Sequence, residues 1–219
     1  MAEQRKCKKL ASVLVEHQEH FAAMSNEDCQ WAIENPQEAV ALFVSAVKRR
    51  DTMVAKKLLK LVGTVSVPAI ESFKAADYFK VDTSAKAPVK IAWLGENFKK
   101  HFLGKVENAS EAADLNVHKL LTAARDLPED DEPGIIPELG GRHETMLGQL
   151  YSLLQKQGKG QAGTLLVNGR ANIAYIRDEE GIFWAVNALW GACVDGWHVE
   201  ACSVEDPNGW NGGNQVVSR

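Results

Sequence analysis

The chain has 219 residues, 45% of them hydrophobic and 25% charged, a profile that suits one medium globular domain or two small ones. Its 25 basic and 29 acidic residues leave a formal charge of -4, which excludes a strong field for nucleic acid or anionic lipid. Collagen, coiled-coil rod, disulfide-rich miniprotein and full-length disorder are excluded by the same composition.

The start of the chain is basic, but the apolar stretch from Leu10 to Val15 is cut short by Glu16, His17 and Gln18. That is too brief for a secretory signal, and no run approaches the roughly 18 apolar residues that span a bilayer. A helix is expected over residues 3–23, where Leu10, Val13, Leu14, His17 and Phe21 repeat at helical spacing. Ser25 caps a short second helix carrying Trp31. Asn35-Pro36 starts a third, with Ala39, Leu42, Phe43, Ala46 and Val47 on one stripe and Lys48-Arg49-Arg50 at its end. Asp51 or Thr52 caps a fourth helix through Leu58, Leu59 and Val62, which Gly63 ends. Residues 1–62 therefore read as a helical bundle.

Residues 63–127 read as a mixed segment. Thr64 to Val67 is β-branched, 70–79 is compatible with a helix, 89–93 alternates like a strand, and 95–102 returns to helical spacing. Residues 110–125 (Ala113, Val117, Leu120, Leu121, Ala124) read as an amphipathic helix. Two prolines, a glycine and five acids over residues 126–134 mark a solvated linker. A calcium loop is the sharper alternative, but the alternating ligands, central glycine and distal glutamate of an EF-hand are missing.

Residues 128–219 read as a helix plus an antiparallel meander. The helix runs from about 142 to 157 and presents Met146, Leu147, Leu150, Leu153 and Leu154. Four strands follow, at about 163–167, 170–177, 182–194 and 197–204, joined by turns at Asn168-Gly169, Asp178 to Gly181, and Asp195-Gly196. The even positions from Ile182 to Val194 hold no polar residue and so form a buried face under the helix. A two-residue turn at Asp195-Gly196 pairs Val194 with Trp197, Cys193 with His198, Trp190 with Ala201 and Leu189 with Cys202. The expected fold is α+β: an N-terminal helical bundle, then a C-terminal four-stranded antiparallel β-meander packed on a helix.

That register puts Cys193, His198, Glu200 and Cys202 on one face. Cys193 and His198 become cross-strand neighbours roughly 5 Å apart, and Glu200 lies two residues from His198. On paper these are nucleophile, base and orienting carboxylate of a thiol enzyme. A flat sheet face offers neither a pocket nor oxyanion donors, so a partly exposed polar face is the plainer reading. Zinc is not expected, because Cys202 falls roughly 13 Å from Cys193, which also argues against a disulfide between them. Reduced thiols at Cys7, Cys29, Cys193 and Cys202 suit a cytoplasmic protein.

Other candidates carry less. His17 and His20 share a helix face without further ligands. Arg142-His143-Glu144 lacks a nucleophile. The basic group of Lys48-Arg49-Arg50, Lys56, Lys57 and Lys60 reads as solvated helix faces rather than a nucleic-acid contact. Gly209 to Asn214 lacks the features of a phosphate loop. Trp210 within it packs back on the sheet, or, if exposed, serves as a binding platform.

Leu139-Gly140-Gly141, Gly163-Thr164-Leu165-Leu166, Asn168-Gly169, Ala171-Asn172-Ile173 and Tyr175-Ile176-Arg177-Asp178 occur in one order with Trp190, Gly196-Trp197, Ala201, Ser203-Val204, Pro207, Trp210 and the ending from Gln215 to Arg219. Upstream stand Val81 to Ser84, Trp93 to Phe98 and Leu103 to Glu107. This set resembles a family of hypothetical proteins common in candidate-phyla bacteria, over most of residues 64–219 and more loosely before. The resemblance implies a bacterial cytoplasmic protein and brings no activity, cofactor or catalytic residue. The function expected is a non-catalytic interaction or structural module, with protein as partner and no cofactor, metal or membrane. The competing classes are the thiol enzyme above and a weak nucleic-acid binder.

Overall fold

The computed structural model describes residues 26–55, 57–129 and 133–219. The expected helix over 3–23, the pair His17 and His20, Cys7, the Ser25 cap and the acids at 130–132 lie outside them. The chain divides into two compact units, Met1–Thr52 and Met53–Arg219. In the first, helix α1 spans Asn26–Glu34, and α2 begins at Pro36 and runs on to Ala55. Asn35 starts α2 as expected, its carbonyl accepting the Ala39 N–H at 3.0 Å. Ile33, Val40, Leu42 and Val44 are exposed on these helices.

The second unit is built on a mixed seven-stranded sheet, not on the expected meander. Its strands are β1 (Leu59–Val67), β3 (Ile91–Leu94), β5 (Ala113–Leu120), β6 (Ala171–Arg177), β7 (Phe183–Gly191), β8 (Gly196–Ser203) and β9 (Gln215–Ser218). They lie in the order β1-β5-β9-β6-β7-β8-β3, while β2 (Phe73–Lys74) and β4 (Val106–Glu107) form a small separate sheet. Pairing is antiparallel except between β6 and β9 and between β3 and β8. The helices are α3 (Ala75–Tyr78), α4 (Glu96–Phe102), α5 (Ile135–Leu139) and α6 (Leu147–Lys156), with a 3-10 turn over Gly140–Arg142. The sheet thus draws strands from both segments that the sequence separates at 127/128, and its first strand starts inside the expected bundle.

Three corrections have clear physical causes. Residues 58–62 are not helical, because Glu138 on α5 accepts the N–H groups of Leu58 (2.7 Å) and Leu59 (2.9 Å) and β1 then pairs with β5. Residues 113–120 are a strand rather than a helix. Their apolar positions fit either period, and pairing with both β1 and β9 decides the outcome. Residues 163–167 form no strand. The Gln157 side chain donates to Leu165 O (3.0 Å) and accepts from Leu165 N–H (2.7 Å), and Asn172 brackets Leu166 in the same way. Two side-chain amides thus satisfy the backbone that a ladder would have used. The place beside β6 goes to β9.

Both faces of the sheet are covered. One carries the larger core, where Leu147, Leu150, Leu153 and Leu154 of α6 and Phe98 and Phe102 of α4 meet Val186, Ala188, Trp190, Trp197, Val199 and Ala201. The expected helix-on-sheet contact is therefore present. Trp190 and Trp197 are cross-strand partners and meet edge to face, ring centres 5.4 Å apart. The other face holds Leu120, Ile173, Tyr175, Ala185 and Val216 beneath α5 and Trp210. No helix among the described residues is long and apolar enough to cross a membrane.

Candidate functional site

The β7–β8 hairpin decides the fate of the expected thiol site. Its loop has four residues, Ala192 to Asp195, and closes with Val194 N–H donating to Gly191 O at 3.1 Å. Asp195 takes φ 50° and ion-pairs with Lys90. Trp190 therefore pairs with Trp197, not Ala201, and His198 pairs with Leu189, not Cys193. The slip moves each partner by four residues. An even slip keeps the paired strand residues on their expected faces while separating the intended neighbours, but Ile182 and Val194, at the ends of the expected buried face, lie outside the strands and are exposed.

Cys193 thus leaves the ladder and sits exposed in the loop. His198 leans on Trp93, ring centres 6.0 Å apart, with its buried Nε2 lacking a hydrogen-bond partner. Glu200 stands opposite Asn187 and turns one oxygen to the Ala201 N–H (2.9 Å) rather than toward His198. Cys202 stands opposite Ala185, where burial, assisted by Glu200, Asp206 and Asp126, pushes its thiol up to about 11. An open groove of about 540 Å³ lined by Thr83, Ala92, Trp93, Val194 and His198 is what remains of this region. Cys193 is not among its lining residues.

Trp210 follows the plainer of its two readings. It is half-buried, and its Nε1–H donates to Asp126 Oδ1 at 2.8 Å. Tyr175, fully buried beneath, donates its hydroxyl to the same oxygen. Asp126 is therefore not part of a solvated linker but is 2% exposed. Burial raises its carboxyl to about 6, against the opposing pull of the Tyr175 and Trp210 hydrogen bonds. Burial and the adjacent Asp126 likewise push the Tyr175 phenol up.

The sequence reading missed a recess of about 300 Å³ on the second face, at the β1–β5–β9 end. Asn116 and His118 on β5 and Ser218 on β9 form its floor, and Glu138, Leu139 and Arg142 of α5 and the 3-10 turn form a wall. Lys57 and Arg219 complete the rim. Once β5 is a strand, Asn116 and His118 share a face, and β9 brings Ser218 opposite Asn116. The available signal was the alternation of Leu115 and Val117, both buried, with Asn116 and His118. The helical reading of 110–125 hid it.

His118 Nε2 and Ser218 Oγ are 3.2 Å apart, the opening of a base–nucleophile pair. Two facts stop it there. Ser218 is 1% exposed, so a substrate does not reach its oxygen. Both oxygens of Glu138 are held by Leu58 and Leu59 N–H, so that carboxylate does not orient the imidazole. Burial lowers the His118 pKa and Lys57 adds to this, while Glu138 pulls the other way. The neutral imidazole is thus favoured. Among the described residues, no group of three or more His, Cys, Asp or Glu side chains is placed to hold a metal ion.

No family model matches the chain, and neither the curated proteins nor the solved structures contain a match.

Proposed function

We propose that this protein is a non-catalytic binding module of the bacterial cytoplasm. One observation carries the reading: among the described residues, the carboxylates of Glu107, Asp126, Glu138 and Asp178 are occupied by architecture. Glu107 caps α6 through the N–H groups of Leu147 and Gly148, both at 2.8 Å. Glu138 holds Leu58 and Leu59, and Asp178 accepts from Glu180 and Ile182 N–H and from Trp184 Nε1, each at 2.9 Å. Asp126 anchors Tyr175 and Trp210. The Ser218 hydroxyl is buried, and the Cys202 thiol stays protonated near neutral pH. Among the described residues these groups serve the fold, which supports recognition over catalysis.

The exposed apolar side chains of α1 and α2 support a protein partner. The resemblance to candidate-phyla proteins supports the cytoplasmic setting, and the charge of -4 speaks against nucleic acid.

The test pairs two measurements on the intact chain. Iodoacetamide labelling at about pH 7.5 compares Cys193 with Cys29. Rates of the same order agree with binding; a Cys193 rate more than about tenfold faster, and lost in H198A, replaces this reading with a thiol enzyme. Thermal-shift screening against ligand classes is the second measurement. A ligand that raises Tm and is recovered unchanged agrees with the proposal, and one recovered as product refutes it.

A further inference from the structure

We propose that the recess around His118 binds a phosphoryl group, the anionic end of a small phosphorylated molecule; this rests on the binding reading above and gives it a ligand class. Three cationic side chains, Lys57, Arg142 and Arg219, border the recess against two carboxylates, that of Glu138 and the main-chain carboxylate of Arg219, which accepts from Asn116 Nδ2 at 3.3 Å. Among the described residues, none of the three cations engages an ion pair or hydrogen bond through its side chain. Glu138 is fixed by the backbone N–H groups of Leu58 and Leu59, so it does not reach out to pair with them. The side chains therefore leave an excess of positive charge facing an open volume.

The chemistry of the rim favours phosphate over carboxylate. A guanidinium offers a planar fork to either group, but a phosphoryl dianion answers several cations at once, where a single carboxylate neutralises only one. His118 adds a responsive element. It is held toward neutrality by burial and by Lys57, against Glu138, with the Arg142 and Arg219 side chains and the Arg219 main-chain carboxylate as the other charges around the recess. An anion seated beside it favours the imidazolium, which then donates to the ligand. Leu59, Leu61 and Leu139 supply an apolar wall for a carbon skeleton. A volume of about 300 Å³ is at the lower end of ligand sites and suits a small phosphate ester rather than a dinucleotide.

The experiment titrates the full chain with inorganic phosphate at constant ionic strength, with chloride as compensating salt, while NMR follows the His118 imidazole. The expected result is a saturable shift, an upward movement of the His118 pKa with phosphate bound, and at least about tenfold weaker affinity in R142Q and in K57Q. The Arg142 and Lys57 side chains are exposed, so both variants are expected to keep the wild-type Tm, which is measured alongside. A response that merely follows ionic strength, or an affinity unchanged in R142Q, overturns the proposal. Succinate binding more tightly than phosphate overturns the phosphoryl assignment while leaving a binding module. Failure of the binding reading shows elsewhere, in Cys193 labelling, so the two failures do not look alike.

Discussion

Substituting Asp126→Asn should make the protein's stability less dependent on acidity, with a sign fixed by the direction of the carboxyl's displacement. The folded-state pKa is about 6, against 3.8 for the free side chain. A raised acid pKa means the fold prefers the protonated form. The penalty is absent well below pH 3.8, grows as pH rises from there to about 6, and is constant above. At about 1.4 kcal/mol per pKa unit the full penalty is about 3 kcal/mol, of which ~2 kcal/mol develops between pH 4 and pH 7. Asn keeps an acceptor for the Tyr175 hydroxyl and the Trp210 N–H without the charge. The assay is urea unfolding of both proteins at several pH values across that window. Taking the difference between variants cancels groups with the opposite trend, such as Asp82 and Asp178, whose pKa values are lowered, and His118. D126N should gain about 2 kcal/mol relative to wild type from pH 4 to pH 7. A difference that stays flat, or shrinks as pH rises, would refute the assignment of Asp126 as a buried, reluctantly ionised acid.

Removing the hydroxyl in Y175F leaves Asp126 with Trp210 as its remaining side-chain donor, and should cost ~1–3 kcal/mol at neutral pH by urea unfolding. E107A strands the N–H groups of Leu147 and Gly148 at the start of the core helix and should cost ~3 kcal/mol, read from the denaturation midpoint. G160A forces a left-handed φ of 68° and puts a Cβ 2.2 Å from the Trp190 ring. A loss of ~2 kcal/mol or more and a changed near-ultraviolet circular dichroism signal are expected. Cys202 should stay unlabelled by a thiol reagent at about pH 8 while exposed Cys193 reacts; labelling of both at one rate would show that β8 opens readily.

What could be read from the residues alone was local and periodic. Side chains alternate along a strand whatever lies beside it, so Trp190, Trp197, Val199 and Ala201 are in the core as their spacing implies, and the leucines of 147–154 cover them. The helix at 96–102 and the turn ending at Gly181 with φ 82° were legible for the same reason. Neighbours in space were a different matter. Asp195-Gly196 satisfies the local rule for a tight turn, yet Gly196 is a strand residue. A Cβ there would come within 2.9 Å of Ala92 on β3, a strand distant in sequence. Which strand flanks β6 turned on the amides of Gln157 and Asn172, and whether 113–120 coils or extends turned on β1 and β9. The recess around His118 depends on both outcomes at once. Face and periodicity are properties of a short stretch of chain, whereas register, strand order and the meeting of Lys57, His118, Arg142 and Ser218 come from long-range pairing that no local pattern encodes.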